Sequence, residues 1–259
     1  APGGNDIRFS TMDGTLLPYE IELWDSAGGE AAVWVLVDTV RGNNSAQFIT
    51  MYYGNAAALP ASNSTTVFDT ADGYRGVWHL GETPVAGANH DIRDQTRYAN
   101  HATSQGSMGV QSVVDGMAGK ALWFDGVDDF AQIDSPATEL QFDTAFTIMA
   151  WVKLEAYNDR SWFSMIFGRQ YGNGDEDALA LAVRDSLFWS WAGVELTGPR
   201  CRLNTWYHVA LTKSGPSEQL YVNGILAASS TTAYRSCMMD DSEVTIDRKS
   251  TRLNSSHYS

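Results

Sequence analysis

KALWFDGVDDFAQIDSPATELQFDTAFTIMAWVKL, residues 120–154, contains the clearest strand and turn patterns of this chain. A short apolar run at 121–124 is followed by the turn dipeptide at 125–126, and the chain then returns through 130–133. Residues 146–154 alternate with period two, which puts every second side chain on the same face of a strand. Short strands joined by tight turns predict an antiparallel β-sandwich here.

Composition and charge limit the classes of partner that this chain can bind. The 259 residues are enough for one large or two ordinary domains, and 44% of them are hydrophobic. The net charge of −14 argues against nucleic acid and anionic membrane surfaces, because affinity for phosphates comes from Lys and Arg. No apolar run approaches the ~20 residues of a membrane span, so we expect no direct membrane insertion. These properties fit a secreted, periplasmic or cell-surface protein, or one that holds divalent cations.

Four motifs follow one another in the C-terminal two thirds of the chain. They are FDGVDD at 124–129, FTIMAWV at 146–152, WYHVALT at 206–212 and LYVNG at 220–224. In this order they resemble the laminin-G-like, concanavalin A-like lectin/glucanase superfamily, over about residues 76–247. The resemblance implies an antiparallel jelly-roll β-sandwich. The dipeptide Asn223-Gly224 agrees with this fold, because it suits the type I′ turn of a two-residue hairpin.

The N-terminal part resembles a second family, whose function is unknown. The resemblance rests on DIRFSTMDGTLLPYEIELWD, AAVWVLV, FITMYYGN and VFDT, which together span residues 6 to about 70. Members of that family are bacterial and archaeal envelope or secreted proteins, and many carry a laminin-G-like domain immediately downstream. Some occur with MotA/TolQ/ExbB-type proton-channel proteins. The resemblance implies no catalytic residues.

These resemblances divide the chain into three parts. We expect a smaller, truncated β-domain over residues 1–72, because the family's usual opening strands would precede Ala1. The absence of Met and of a signal peptide at the start also indicates a fragment. We expect the sandwich over 73–247, without its last strand. The polar, aperiodic residues 248–259 resemble adapter read-through in assembled environmental sequences, so we expect a non-native or disordered tail.

Two acidic turns are candidates for calcium binding, DIRD at 91–94 and DGVDD at 125–129. Calcium takes six to eight oxygen ligands where loops converge. Many laminin-G-like domains bind calcium at the rim of the sandwich, and the resemblance therefore implies a Ca²⁺ site. We predict that Asp94, Asp128 and Asp129 are its ligands. In the alternative, the aspartates of the second turn only shape it by hydrogen-bonding their own backbone.

Aromatic side chains support a glycan ligand, because sugars stack their apolar faces on exposed rings. Trp189 and Trp191 share one face of the stretch LFWSWA, and Trp162 and Tyr171 lie in turn-rich segments. We predict that these four residues bind the ligand, although sandwich cores are also rich in Trp. The tryptophans within the family motifs are expected in the core: Trp78, Trp123, Trp151 and Trp206.

The two cysteines, Cys201 and Cys237, allow one disulfide. Such a bridge would close a loop of about 35 residues and add roughly 3–4 kcal/mol of stability. In the alternative they are two buried thiols.

Catalysis is not expected. A glycosidase needs two carboxylates flanking one sugar, and the laminin-G-like region contains no Glu-x-Asp-x-Glu triplet on a strand. Glu20 and Glu22 have a similar spacing, but we expect ordinary solvent-facing alternation there. The chain also contains no Gly-x-Ser-x-Gly motif.

The sequence therefore predicts a non-catalytic recognition module, with carbohydrate binding as the first hypothesis. The alternative is a protein-interaction or structural module of a cell-surface assembly linked to a TolQ/ExbB-type system, with a surface protein as its partner. A glycoside hydrolase is the third hypothesis.

Overall fold

The structure is a computed structural model that describes residues 2–133, 140, 142, 144–157, 163–169, 179–232 and 244–247. The chain forms two compact units. The N-terminal unit takes the chain up to Glu82 and the later segments 93–99 and 114–121. The sandwich unit takes 83–92, 100–113 and the chain from Leu122 onward. The chain thus changes unit several times between Glu82 and Leu122, whereas the sequence suggests a single boundary near residue 72.

The first 82 residues of the N-terminal unit contain two small antiparallel sheets. Strand β1 lies between β2 and β5, and β3 forms a hairpin with β4. A short helix, α1, begins after Asn63, whose side chain accepts a hydrogen bond from the backbone N–H of Thr65. In chain order the elements are a 3-10 helix (Pro2–Gly4), β1 (Arg8–Ser10), β2 (Leu16–Leu17), β3 (Tyr19–Asp25), β4 (Glu30–Val35), β5 (Thr50–Tyr52), α1 (Ser64–Val67) and a 3-10 helix (Thr70–Asp72).

The core of this unit is built around Ile7, Phe9 and Tyr19. The Phe9 and Tyr19 rings meet edge to face with centroids 5.5 Å apart, a favoured aromatic geometry. The buried Tyr19 hydroxyl donates a 2.8 Å hydrogen bond to the carbonyl of Ile7. Apolar residues of β2, β3 and β4 pack around this centre: Leu17, Ile21, Trp24, Val33 and Val35.

The rest of the chain forms a hairpin and two larger sheets. Strands β7 and β8 make the hairpin; one sheet has the order β10-β15-β16-β17, and the other has the order β14-β13-β12-β11-β18-β9-β6. The elements are β6 (Ala102–Gln105), a 3-10 helix (Val110–Ser112), β7 (Val113–Asp115), β8 (Lys120–Leu122), β9 (Phe130–Ile133), β10 (Ala145–Lys153), β11 (Phe163–Arg169), β12 (Ala180–Arg184), β13 (Leu187–Trp191), β14 (Glu195–Arg200), β15 (Trp206–Ser214), β16 (Ser217–Val222), β17 (Ile225–Ser230) and β18 (Val244–Ile246).

The four-stranded and seven-stranded sheets pack face to face. Phe188 of β13 meets Tyr207 of β15 with ring centroids 5.0 Å apart. A Cβ atom at Gly198 of β14 would lie 3.2 Å from the Leu220 side chain of β16, so this side chain packs directly on the glycine. All strand pairs in both sheets are antiparallel. The prediction of an antiparallel all-β sandwich is confirmed.

The predicted hairpin between β16 and β17 is also present. Asn223 and Gly224 both have positive φ, 51° and 75°, as a type I′ turn requires. The Asn223 side chain accepts a hydrogen bond from the backbone N–H of His208, which fixes the turn against β15.

The sandwich core contains a buried ion pair. The Lys213 ammonium lies 2.7 Å from Glu218 Oε1 and also donates to the carbonyl of Ala192 at 2.6 Å. Both side chains are almost completely buried. They are cross-strand partners on β15 and β16, in line with inward-facing Val209 and Leu211. Their charges are therefore held in the core by each other and by one backbone carbonyl.

Among the described residues, no helix has the length and apolar character needed to cross a membrane.

Candidate functional site

The outward side of the four-stranded sheet carries a row of large side chains. The outward residues of β10 and their partners on β15 are Met149 with Ala210, Trp151 with His208, and Lys153 with Trp206. The row that contains Met149 and Ala210 continues on the next two strands, because Tyr221 of β16 pairs with Ala210 and Leu226 of β17 pairs with Tyr221. We call this set of eight residues the aromatic face.

Three of the rings on the aromatic face are held by neighbours. Trp151 is 47% exposed, and its ring lies edge to face against His208, with centroids 5.3 Å apart. The Lys153 ammonium lies 5.4 Å from the centroid of the Trp206 ring, within the range of a cation–π contact. These contacts limit the rotamers of the rings, so a ligand would meet a largely preformed surface.

One row of the aromatic face combines small and large side chains. The small side chain of Ala210 lies between the larger side chains of Met149 and Tyr221 on the neighbouring strands. Met149 is 60% exposed, and Leu226 on the far side is also exposed. The Tyr221 hydroxyl donates a 2.9 Å hydrogen bond to Gln219 Oε1. The face therefore combines apolar surface with polar groups at its margin.

The expectation that Trp123 and Trp151 lie in the core is wrong, because both side chains are exposed. The alternation of 146–154 predicts two faces correctly, and Ile148 on the other face is buried. Trp151 points outward because the seven-stranded sheet covers only the face that carries Ile148. Period two by itself does not say which face that is.

Trp189 and Trp191, which the sequence predicts to bind the ligand, lie on the seven-stranded sheet and not on the aromatic face. The two residues share one face of β13, opposite Ala182 and Ala180 of β12. Trp189 is only 6% exposed, and it forms a hydrophobic cluster with both alanines, against which Trp191 and Met165 pack. Little of the Trp189 ring is open to a ligand. The role of this pair stays a prediction, and Trp162 and Tyr171 lie outside the described residues.

The acidic turn after β8 brings carboxylates together. Ligand oxygens of Asp125, Asp128 and Asp129 all lie within 4.8 Å of one another, and no other such group of three occurs in the part of the chain that the structure describes. Calcium prefers carboxylate oxygens of this kind, so the donor set fits it. Asp128 and Asp129 are thus in the predicted cluster.

Asp94 serves a different local role. One of its oxygens accepts from the backbone N–H groups of Val77 and Thr96 at 2.9 and 3.0 Å, and the other accepts from the Thr96 hydroxyl. It does not belong to the group of three, in which Asp125 is the additional carboxylate. The metal role of all these residues stays a prediction.

The turn-shaping alternative is also visible at this loop. Asp125 Oδ1 accepts from three backbone N–H groups between residues 127 and 129, at 2.6 to 3.3 Å. Buried Asp129 accepts from the backbone N–H groups of Ser107 and Asp125. Gly106 is needed beside it, since a Cβ atom there would lie 2.5 Å from Asp129 Oδ1 and its φ is +85°. The loop is therefore preorganised with its carboxylates close together.

Sequence reasoning missed a fourth carboxylate, Asp247, which follows β18. Burial, together with the negative charges of Asp129 and Asp125, raises the pKa of Asp247 to about 7. Burial likewise raises the pKa of Asp129. Charge repulsion of this kind is what a bound cation would relieve.

A second charged cluster lies in the N-terminal unit. His79 Nε2 lies 3.1 Å from Glu20 Oε2, and its Nδ1 lies 3.7 Å from Glu22 Oε2. The imidazole stacks on Trp34, whose Nε1 donates to Glu22 at 2.6 Å. The expectation of solvent-facing glutamates is wrong, because these side chains are more than nine-tenths buried.

The charges in this cluster favour an imidazolium. Burial alone lowers the pKa of His79, but the hydrogen bond to Glu20 and the charges of Glu20, Glu22 and Glu82 outweigh it, so the pKa is raised. Burial raises the pKa of Glu22. Because both ring nitrogens of His79 lie near carboxylates, the buried imidazolium and the buried glutamates compensate each other's charge.

Cys201 is completely buried, and burial raises the pKa of its thiol to about 11. Its predicted partner Cys237 lies outside the described residues, so the disulfide stays a prediction.

Comparisons with known proteins agree with this architecture. Residues 3–81 match a domain of unknown function (DUF2341), and residues 125–256 match the concanavalin A-like lectin/glucanases superfamily. The chain belongs to this superfamily. The second match includes part of the stretch 248–259 that the sequence suggests is non-native. Both resemblances predicted from the sequence are confirmed.

Solved structures of similar fold include several carbohydrate-associated proteins. Domain 4 of AbnA, a GH43 extracellular arabinanase from Geobacillus stearothermophilus, in complex with arabinotriose, is 17% identical, with a TM-score of 0.46 over 60% of this chain and 76% of that one. Trypanosoma rangeli sialidase in complex with sialic acid is 22% identical, with a TM-score of 0.47 over 64% and 26%. The carbohydrate-binding module CBM66 from Bacillus subtilis is 14% identical, with a TM-score of 0.31 over 52% and 83%. Similarity this low carries no argument about ligand or activity. Among curated proteins no match was found.

Proposed function

We propose that the sandwich unit is a non-catalytic recognition module that binds carbohydrate on the aromatic face. The observation that carries this proposal is the outward position of Trp151, which is exposed on the four-stranded sheet and packs edge to face against His208. A pyranose ring presents apolar C–H groups on one face, and an exposed indole is a suitable surface for them. The Lys153 and Gln219 side chains at the margin provide groups that can bond to hydroxyls.

The same surface lacks the groups that glycoside hydrolysis needs. Two carboxylates must flank the scissile bond. The outward positions of β10, β15, β16 and β17, all within the described residues, hold no Asp or Glu, because Glu218 of β16 points inward. A sugar on the aromatic face would therefore be bound and left intact.

The test is a substitution of the exposed indole. Trp151→Ala and Val110→Ala are purified with the wild-type chain, and each is checked for folding by thermal melting. Val110 is a suitable control because it is exposed and apolar but lies in a 3-10 helix that is not part of the four-stranded sheet. Affinity for a panel of soluble neutral and acidic polysaccharides is then measured by affinity electrophoresis and calorimetry.

We expect Trp151→Ala to weaken binding at least tenfold, which is about 1.4 kcal/mol, and Val110→Ala to leave it unchanged. The proposal is refuted if folded Trp151→Ala binds as the wild type does, or if no polysaccharide binds the wild-type chain. A reaction product released from any polysaccharide would contradict the non-catalytic part.

We also propose that the loop carrying Asp125, Asp128 and Asp129 holds Ca²⁺, with Asp247 beside it. The support is the close grouping of the carboxylates and the raised pKa of Asp247, which a cation would lower. An acidic module with a calcium-dependent rim fits a secreted, periplasmic or cell-surface location, which we propose for this chain.

A further inference from the structure

A third tryptophan is attached to the end of the strand that carries Trp151. Trp123 directly follows β8, belongs to the sandwich unit and is 39% exposed. Its backbone N–H donates a 2.7 Å hydrogen bond to the carbonyl of Ser112, and its indole Nε1 donates a 3.1 Å hydrogen bond to Glu155 Oε2. Glu155 lies two residues beyond the end of β10. The Trp123 indole is therefore held in place while it remains open to solvent.

Glu155 also connects Trp123 with the aromatic face. Its second carboxylate oxygen, Oε1, lies 3.9 Å from the Lys153 ammonium, and this ammonium lies over the Trp206 ring. The side chains of Lys153 and Glu155 are 30% and 51% exposed, so both charged groups can also reach a ligand. A continuous set of contacts thus leads from Trp206 through the ion pair to Trp123.

The indoles on this surface are spaced too widely for a single sugar ring. Trp151 pairs with His208 and Lys153 pairs with Trp206, so the two tryptophans occupy diagonal positions on the same side of neighbouring strands. Diagonal positions of this kind are about 7–8 Å apart. A pyranose ring stacks on one indole, and contact with both therefore requires at least two linked sugars. Trp123 offers a position for a further sugar. We call Trp151, Trp206 and Trp123 the tryptophan series.

The charges around the tryptophan series favour an uncharged ligand. Lys153 is the only Lys or Arg at the outward positions of β10, β15, β16 and β17, all of which the structure describes. Glu155 lies beside it and compensates its charge. The whole chain carries a net charge of −14, which repels an acidic polysaccharide. A paired ammonium and carboxylate can instead donate to and accept from sugar hydroxyls.

We propose that this surface binds an internal stretch of a linear, uncharged polysaccharide, whose successive sugar rings stack along the tryptophan series. The inference rests on the carbohydrate binding proposed above and adds the class of ligand. The Lys153–Glu155 pair bonds to hydroxyls between the stacked rings. Affinity rises with the number of linked sugars, because the second and third rings bind without a further loss of translational freedom. Glu155 determines the selectivity for uncharged chains, since it compensates the charge of Lys153.

The first measurement uses the wild-type chain alone. Affinity electrophoresis compares three uncharged polymers (hydroxyethyl cellulose, galactomannan and dextran) with two acidic ones (polygalacturonate and alginate). We expect at least one uncharged polymer to bind more tightly than both acidic polymers. Oligosaccharides of two to six units from the bound polymer are then titrated by calorimetry. Their Kd should fall at least tenfold from the disaccharide to the hexasaccharide.

Two variants test the residues that carry the inference. Trp123→Ala should weaken binding of the hexasaccharide at least fivefold, with folding checked by thermal melting. Tyr53→Ala is the matched control, because it removes an exposed aromatic ring from the N-terminal unit and should leave binding unchanged. Glu155→Gln keeps the shape of the side chain but leaves the Lys153 charge uncompensated. It should raise the affinity for polygalacturonate at least threefold.

The outcomes separate this inference from the proposed function. Acidic polymers that bind the wild type as tightly as the uncharged ones overturn it, and so does an affinity that does not increase with oligosaccharide length. A folded Trp123→Ala that binds the hexasaccharide as the wild type does, or a Glu155→Gln with no gain for polygalacturonate, also overturns it. In each of these cases carbohydrate binding itself is still judged by Trp151→Ala. If no polysaccharide binds the wild type, the proposed function and this inference fail together.

Discussion

The raised pKa of Asp247 makes a quantitative prediction about how stability depends on pH. In the folded chain this carboxyl keeps its proton up to a pH of about 7, whereas the ordinary value is 3.8. The folded state therefore binds the proton more tightly than the unfolded state does. The resulting stabilisation is fully present below pH 3.8, decreases as pH rises, and is lost once pH has passed 7.

The size of the effect follows from the pKa difference. Each pH unit corresponds to 1.36 kcal/mol, so about three units give roughly 4 kcal/mol. The side chain keeps some contact with solvent, which makes this figure an upper limit. Asp247→Asn removes the titrating group and keeps the shape. We expect the free energy of unfolding to fall between pH 4 and pH 8. The decrease should be smaller in the variant than in the wild type, by up to about 4 kcal/mol.

The assay is urea unfolding of the wild type and Asp247→Asn at pH 4, 6 and 8, in the presence of EDTA. Asp185→Asn serves as the control because its side chain is largely exposed. If Asp247→Asn loses as much stability with rising pH as the wild type does, the carboxyl is not held in the acidic cluster and the reasoning is refuted.

Calcium gives a second arm of the same experiment. A cation bound by Asp125, Asp128 and Asp129 would favour the ionised form of Asp247. We therefore expect calcium to raise the wild-type melting temperature at pH 8 and to reduce the loss of stability with pH. Asp128→Ala should remove both effects. If calcium changes nothing in the folded wild type, the metal proposal fails, while the pKa reasoning is judged by Asp247→Asn alone.

Two further predictions concern the buried charges. Lys213→Met should destabilise the sandwich by about 3–5 kcal/mol in urea unfolding, because Glu218 is left unpaired in the core. The double variant Lys213→Met with Glu218→Leu should recover most of this loss of stability. A double variant as unstable as Lys213→Met alone would contradict the pairing. The raised pKa of His79 stabilises the N-terminal unit below pH 6.5, and this contribution should be lost as pH rises through the folded pKa. His79→Gln should weaken the pH dependence of unfolding, and an unchanged profile would show that the imidazole stays neutral.

Local patterns predicted the architecture well, because strands and tight turns depend on neighbouring residues. The alternation of 146–154 predicts β10, and Asn223-Gly224 predicts the hairpin between β16 and β17. The acidic turn at 125–129 was recognised for the same reason, since its residues are close in sequence. Asp247 was missed because it reaches this turn only through the pairing of β18 with β9 and β11.

Buried charge is the feature that local patterns describe least well. Glu20 and Glu22 occupy alternate positions of β3 and look like an exposed face, yet they surround His79, which is 57 residues beyond Glu22. Lys213 and Glu218 likewise belong to the inward series of their strands. Burial of such groups depends on whether a partner of opposite charge is available, and that partner comes from elsewhere in the chain.

Short sequence patterns are enough to predict that the chain is all-β, to place its main turns and to identify the families that it resembles. The packing of the sheets is needed to show that Trp151 faces solvent and that Trp189 is buried. A strand has two faces and two edges, and each of them can form contacts with another element. Which of them becomes core and which becomes binding surface is decided by the elements that pack against it.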